Sequence, residues 1–179
     1  NISSGIELVK KYNEHNQPGK ASLWYTALKE DVAYTMQQLR ETIWTLGKNE
    51  ISADLFMERI EMYLRGRATD DLKLSAEFKM EEGKNPILLS PEISLNLFRI
   101  IQEAVQNSLK YAEASWIKVE FEQAEKMNLV LISDNGRFKE REKSYDGYGI
   151  KNMKNRALDI GGKLELKKEP TGTVVEIKF

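Results

Sequence analysis

Ser90-Pro91-Glu92-Ile93-Ser94-Leu95-Asn96-Leu97-Phe98-Arg99-Ile100-Ile101-Gln102-Glu103-Ala104-Val105-Gln106-Asn107-Ser108-Leu109-Lys110-Tyr111 is the stretch on which the fold turns. A capping serine followed by proline in the first turn starts a helix, because the hydroxyl satisfies a free amide and proline has none to lose. The spacing predicts a helix over Pro91 to Tyr111, with Leu97, Phe98, Ile101, Ala104, Val105, Ser108 and Ala112 on its buried face. Glu103, Asn107 and Lys110, four and three residues apart, share one stripe on the opposite face. A carboxylate, an amide oxygen and an ammonium on one patch can hold a metal and the phosphates it bridges. A polar stripe opposite an apolar one is also what any surface helix displays.

Around this helix the chain reads as strands. Lys73 to Met80 precedes it; Trp116 to Phe121 and Asn128 to Ser133 follow. A helix from Ile150 to Ile160 then leads to strands Lys163 to Lys168 and Thr173 to Phe179. Ile117, Val119 and Phe121 alternate with Lys118, Glu120 and Glu122, a period of two that puts one face on a core and one in water. Short turns between adjacent strands, with helices as the second layer, predict an α/β sandwich with a mixed sheet.

The front of the chain differs. Lys20 to Leu46 contains no glycine or proline, and Tyr25, Leu28, Val32, Thr35, Leu39, Thr42 and Leu46 recur at spacings of three and four, a coiled-coil seam. Trp24, Ala27, Met36 and Ile43 widen its apolar surface toward a bundle. Ile2, Ile6 and Val9 carry the same spacing, and the polar segment Asn13 to Gly19 folds this first helix back as a hairpin. Two hairpins make a four-helix bundle, so a homodimer is expected; packing of the long helix within its own chain is the alternative. A further helix from about Ala53 to Leu64 has Ser52 available as its cap, and Gly66-Arg67-Ala68-Thr69-Asp70-Asp71 is a polar break. The expected domains are 1–67 and 68–179.

Composition narrows the function. The chain has 179 residues, 41% hydrophobic and 31% charged, which suits a soluble globular protein. With 27 basic and 28 acidic residues the net charge is -1, which argues against nucleic-acid binding. There is no cysteine, and the one histidine, His15, lies in a turn-like segment, so disulfides, thiolate sites and a histidine-based triad are unsupported. Any metal would take oxygen ligands, magnesium or calcium before zinc. No apolar run reaches the roughly 20 residues of a membrane helix.

Two further motifs carry chemistry. Ser133-Asp134-Asn135-Gly136 follows the apolar strand, and Gly147-Tyr148-Gly149 opens the next helix after a charged stretch. Glycines at a helix start let backbone amides approach phosphate oxygens, where the helix dipole favours negative charge. The spacing is neither the Rossmann fingerprint nor a Walker loop.

Together, in order, these pieces resemble the GHKL ATPase superfamily, as found in sensor histidine kinases of the NarL-linked type. Ile101 to Ala112 resembles the N box, Asp134-Asn135-Gly136-Arg137 the first glycine box, Gly147-Tyr148-Gly149-Ile150-Lys151-Asn152-Met153 the second, and Gly172-Thr173 the third. The hairpin before them is similar to the dimerisation domain of these kinases, including Arg40-Glu41-Thr42-Ile43-Trp44. The resemblance implies a Bergerat sandwich that binds ATP and magnesium. Asn107 would ligate magnesium, with Glu103 a polar partner or base and Lys110 facing the phosphates. Asp134 would accept from the adenine amino group, Gly136 would leave room for the base, and Thr173 would lie at the far side of the purine. The nucleotide site would also include Tyr111, Gly147, Tyr148, Gly149 and Ile150, with 137–146 as a lid.

The implied activity is autophosphorylation on histidine and transfer to the receiver domain of a response regulator. The implied location is cytoplasmic, without membrane contact by this segment, whether or not the parent protein is anchored. The family's phosphoacceptor histidine with its acidic neighbour does not occur, since His15 follows the first helix and precedes Asn16. The chain therefore reads as a kinase segment starting just after its acceptor. Phe138 stands where a second glycine is usual and Tyr111 where histidine is common. These departures motivate an alternative, a non-catalytic dimeric signalling scaffold with a vestigial nucleotide pocket.

Overall fold

The computed structural model describes residues 2–15, 17–29, 32, 50–124, 127–137 and 147–179. The chain divides into two compact units, Asn1–Gly47 and Lys48–Phe179. In the first, α1 (Ile2–Glu14) is followed by a turn and a second helix, α2, over 18–29. Gly5 passes so close to Leu28 that a Cβ there would lie 3.0 Å from its Cδ1, and this contact joins the two helices as the expected hairpin. His15 is exposed in the turn and its Nδ1–H donates to the Lys11 carbonyl at 2.7 Å. Leu23, Trp24, Tyr25 and Ile6 keep large apolar surfaces in solvent. The seam beyond Val32 lies outside the described residues.

In the second unit, β2 (Lys73–Met80), β4 (Trp116–Gln123), β5 (Asn128–Asp134), β6 (Lys163–Glu169) and β7 (Gly172–Lys178) form a five-stranded sheet in the order β2-β4-β5-β7-β6. Only β2 and β4 run parallel, because α4 (Pro91–Tyr111) lies between them in sequence and supplies the crossover a parallel pair requires. The other three pairings are antiparallel, so the sheet is mixed as expected. Register aligns Phe121 with Val130 and Ile177, Val119 with Ile132 and Val175, and Ile117 with Asp134 and Thr173. These rows face the helices and form the core. The same rows carry Asp134 and Thr173 to one end of it.

The other sheet face is charged. Lys118 and Lys79 bond Glu120 at 2.8 and 2.7 Å, and Lys167 bonds Glu176 at 2.7 Å. Lys167 and Lys178 hold the Glu176 carboxyl below the ordinary glutamate range.

The helices meet the sequence reading closely, with four differences. α3 (Ala53–Arg65) buries Phe56, Ile60 and Leu64 within the second unit, so the polar break near residue 68 is a loop inside that unit. Ser52 occupies the N-cap position of α3, but its side chain makes no cap bond and is hydrogen-bonded to the Asp54 carboxyl instead. Phe98 is half-buried, its ring meeting Tyr63 edge-on at 5.5 Å. α5 (Gly147–Asp159) begins three residues earlier than its first apolar residue, Ile150, suggested. A two-stranded sheet of β1 (Ile51–Ser52) and β3 (Leu88–Leu89) had no counterpart in the sequence pattern.

Gly172 starts β7 at φ +153°, and a Cβ there would strike the backbone carbonyl oxygen of Asp134. Gly172→Ala is expected to cost about 3 kcal/mol, a fall of roughly 6–12 °C in thermal midpoint. A calorimetric melt checks this.

Candidate functional site

A cavity of about 280 Å³ opens between α4, α5 and the inner sheet face. α4 contributes Glu103, Asn107, Lys110 and Tyr111, the sheet contributes Asp134 and Thr173, and α5 contributes Gly149 and Ile150. All eight were candidates from the sequence. The alternation that buries Ile117, Val119 and Phe121 also turns Asp134 and Thr173 inward, while the helical stripe turns Glu103, Asn107 and Lys110 toward the same space. Ala104, Ile132, Met153 and Val175 supply buried apolar walls. Such a space, apolar with a few convergent polar groups, suits a small flat ligand.

Asp134 is 7% exposed and held at both oxygens: Gly136 N–H donates to Oδ1 at 2.8 Å and Ser108 O–H to Oδ2 at 2.6 Å. A carboxylate has about four acceptor positions, so it can still accept from a ligand. Thr173, paired with Asp134 across β5 and β7, is 6% exposed, and its buried Oγ1 has no hydrogen-bond partner among the described residues. A buried hydroxyl without a partner is costly, and a polar group seated in the cavity would relieve it. A purine amino edge fits this arrangement, giving a proton to the carboxylate beside ring nitrogens that can accept one.

At the other end Glu103 and Asn107 are half-buried and Lys110 is exposed. Gly149 lies against Glu103, whose Oε1 fills the place a Gly149 Cβ would take. Among the described residues no group of three or more histidine or carboxylate side chains could hold a metal by itself. An amide and a carboxylate oxygen suit magnesium when phosphate and water complete its shell. α5 starts at Gly147, so the Gly149 amide lies in its first turn, where amides have no intrahelical acceptor, and Gly149 borders the cavity.

Three expected nucleotide contacts lie elsewhere or beyond description. Gly136 does not line the cavity; a Cβ there would collide with Ala112, and the close passage lets Arg137 N–H bond the Ala112 carbonyl at 2.8 Å. Its small size thus serves the junction of the loop with the end of α4. The backbone of Gly147 and Tyr148 opens α5, and the Tyr148 side chain lies outside the description. The lid positions 138–146, including Phe138, lie outside the described residues.

Sequence reasoning missed Ser108 and Asn135 as polar parts of the site. Asn135 Oδ1 accepts from the amides of Ser115 and Trp116, both at 2.9 Å, clamping the start of β4 beside Asp134. A serine among apolar residues on the buried face of α4 was the available signal, because a buried hydroxyl requires a partner.

Residues 92–179 match the family described as histidine kinase-, DNA gyrase B- and HSP90-like ATPases, and the fold and cavity define an ATPase domain of that class. More particularly, residues 92–179 carry an ATPase catalytic domain of the histidine kinase kind, and the curated relatives that the chain resembles are sensor proteins. A sensor protein VraS from Staphylococcus epidermidis is 41% identical over 173 aligned residues, 88% of this chain and 49% of the relative. A VraS from Staphylococcus saprophyticus is 36% identical over 104 residues, 57% of this chain and 27% of the relative. The chain thus spans about half or less of the length of these curated relatives. The histidine kinase AdeS from Acinetobacter baumannii shares the fold at TM-score 0.64 and 14% identity, covering 99% of this chain and 95% of that one. The catalytic domain of histidine kinase ThkA does so at TM-score 0.57 and 13% identity, covering 73% of this chain and 94% of that one. Among the described residues no helix is long and apolar enough to cross a membrane.

Proposed function

We propose that the chain is the ATP-binding core of a two-component sensor histidine kinase of the NarL-linked type, which phosphorylates a histidine and passes the phosphoryl group to a response regulator. The carrying observation is the pair at the cavity floor: a buried carboxylate fixed at both oxygens, opposite a buried hydroxyl that has no partner among the described residues. Asp134 selects a purine that presents an amino group, and Thr173 satisfies its hydroxyl on the same base. Asn107 would hold magnesium, which neutralises phosphate charge when bound, with Glu103 beside it. Lys110 adds a positive charge at the cavity rim, and the amides opening α5 favour the same anion. Glu103 is placed to accept a proton released during transfer. Phosphoryl transfer asks a protein mainly for this positioning and charge stabilisation.

Exposed Tyr25 and Val32, seven residues apart on the seam, support a homodimer through the hairpin. In this reading the helices before residue 48 form the dimerisation and phosphotransfer part, α3 belongs with the ATP-binding unit in which it is buried, and the intact protein supplies the acceptor histidine. The segment works in the cytoplasm.

Calorimetric titration with nucleotide and magnesium tests the proposal. ATP is expected to bind with micromolar to millimolar affinity, and GTP at least roughly tenfold more weakly, because its keto oxygen meets the Asp134 carboxylate without a proton between them. Absence of ATP binding, or equal binding of both, contradicts it.

A further inference from the structure

Ser108 follows Asn107 on α4 and is 5% exposed. Its hydroxyl has one proton and two oxygens in reach, Asp134 Oδ2 at 2.6 Å and the Ala104 carbonyl at 3.1 Å. Hydroxyl bonds to a carboxylate fall near 2.5–2.7 Å and are about twice as strong as neutral ones, so the proton goes to Asp134. Gly136 N–H takes the other oxygen at 2.8 Å. The carboxylate is therefore pinned from two directions, by the helix that carries Asn107 and by the loop after β5. With one pin removed, the carboxylate would turn more freely about its last bond and would have to be oriented at the moment of binding.

We infer that Ser108 is a positioning residue for purine recognition: its hydroxyl fixes the Asp134 carboxylate with an acceptor lone pair toward the amino edge of the base. This rests on the ATP reading above. Ser108 also borders the cavity, but its hydroxyl proton is committed to Asp134, so its loss is felt at the amino group and not at the ribose or the triphosphate. It also ties the two ends of the site together, because the residue before it on α4 borders the phosphate end of the cavity. Ser108→Ala removes one oxygen atom and leaves the apolar packing of the helix in place.

The test compares the magnesium-dependent affinity of the chain for ATP and for purine riboside triphosphate, which lacks the 6-amino group. Wild-type protein is expected to prefer ATP at least roughly tenfold. Ser108→Ala is expected to shrink that preference about fivefold, while affinity for the analogue changes less than about twofold. Ser108→Thr, which keeps the hydroxyl, is expected to restore the preference. A Ser108→Ala variant that weakens both ligands by the same factor, or leaves their ratio unchanged, overturns the inference, as does a threonine variant that behaves like the alanine one. A wild-type protein that does not distinguish the two ligands instead overturns the ATP reading itself.

Discussion

Asp134→Asn is expected to lower ATP affinity about a hundredfold while the protein stays folded and binds keto purines such as ITP no more weakly than before. The argument follows from the hydrogen bonds around the side chain. In the native site Oδ1 takes the Gly136 N–H and Oδ2 the Ser108 hydroxyl, and every remaining position on the carboxylate is an acceptor. An asparagine would keep its oxygen on the Gly136 amide and turn its NH2 toward Ser108. The serine can receive it, because its own proton has the Ala104 carbonyl at 3.1 Å as a second acceptor. The fold therefore tolerates the change, but the cavity floor now offers a donor where it offered an acceptor. An adenine amino group then faces another N–H, and a purine keto oxygen finds a partner. Calorimetry with ATP and ITP on both proteins measures the reversal, and a thermal melt confirms that the variant is folded. Equal loss of both nucleotides would mean that Asp134 supports the cavity without reading the base.

The second large effect is expected at Asn107. Asn107→Ala removes the amide oxygen that borders the cavity one residue before Ser108. Magnesium should strengthen ATP binding by the native chain, and the variant should lose this strengthening while binding metal-free ATP nearly as well. In the intact kinase the rate of phosphoryl transfer should fall by about a hundredfold or more, the scale expected when a principal electrostatic stabiliser is removed. Titrations with and without magnesium separate the metal contribution from the base contribution. Retention of the full magnesium effect by Asn107→Ala would show that the ion is held elsewhere.

Both predictions depend on features that were partly legible before any coordinates. The helix Pro91–Tyr111 was readable at both ends, because Ser90 and Pro91 announce its start and the apolar stripe runs unbroken to Ala112. The sheet was readable because Ile117, Val119 and Phe121 alternate with charge, and one buried face fixes the register of every partner strand. That register then decides which side of the sheet Asp134 and Thr173 face.

What stayed hidden has physical causes of its own. β1 and β3 have two residues each, too few to show a period, and their pairing of Ile51 with Leu89 spans a long stretch of sequence. Gln123 helps hold that region through bonds to the Asn85 carbonyl and the Ile87 amide at 3.0 and 2.9 Å, a link no local pattern announces. The start of α5 at Gly147 runs against the low helix propensity of glycine, so it is a case of tertiary context overriding local preference. Gly136 was read as space for a base, whereas the space it leaves is taken by Ala112. Only the packing of the loop against the end of α4 distinguishes the two uses of a missing side chain. Ser108 was assigned to the buried face correctly, but its partner lies on another element 26 residues away.

The most direct test of the account is a structure of this chain crystallised with magnesium and a non-hydrolysable ATP analogue. The predicted result places the purine amino group within hydrogen-bonding distance of Asp134, with the Thr173 hydroxyl satisfied on the same base and the phosphates beside Asn107. A nucleotide bound with its base away from Asp134, or a cavity that stays empty at saturating ligand, would contradict it.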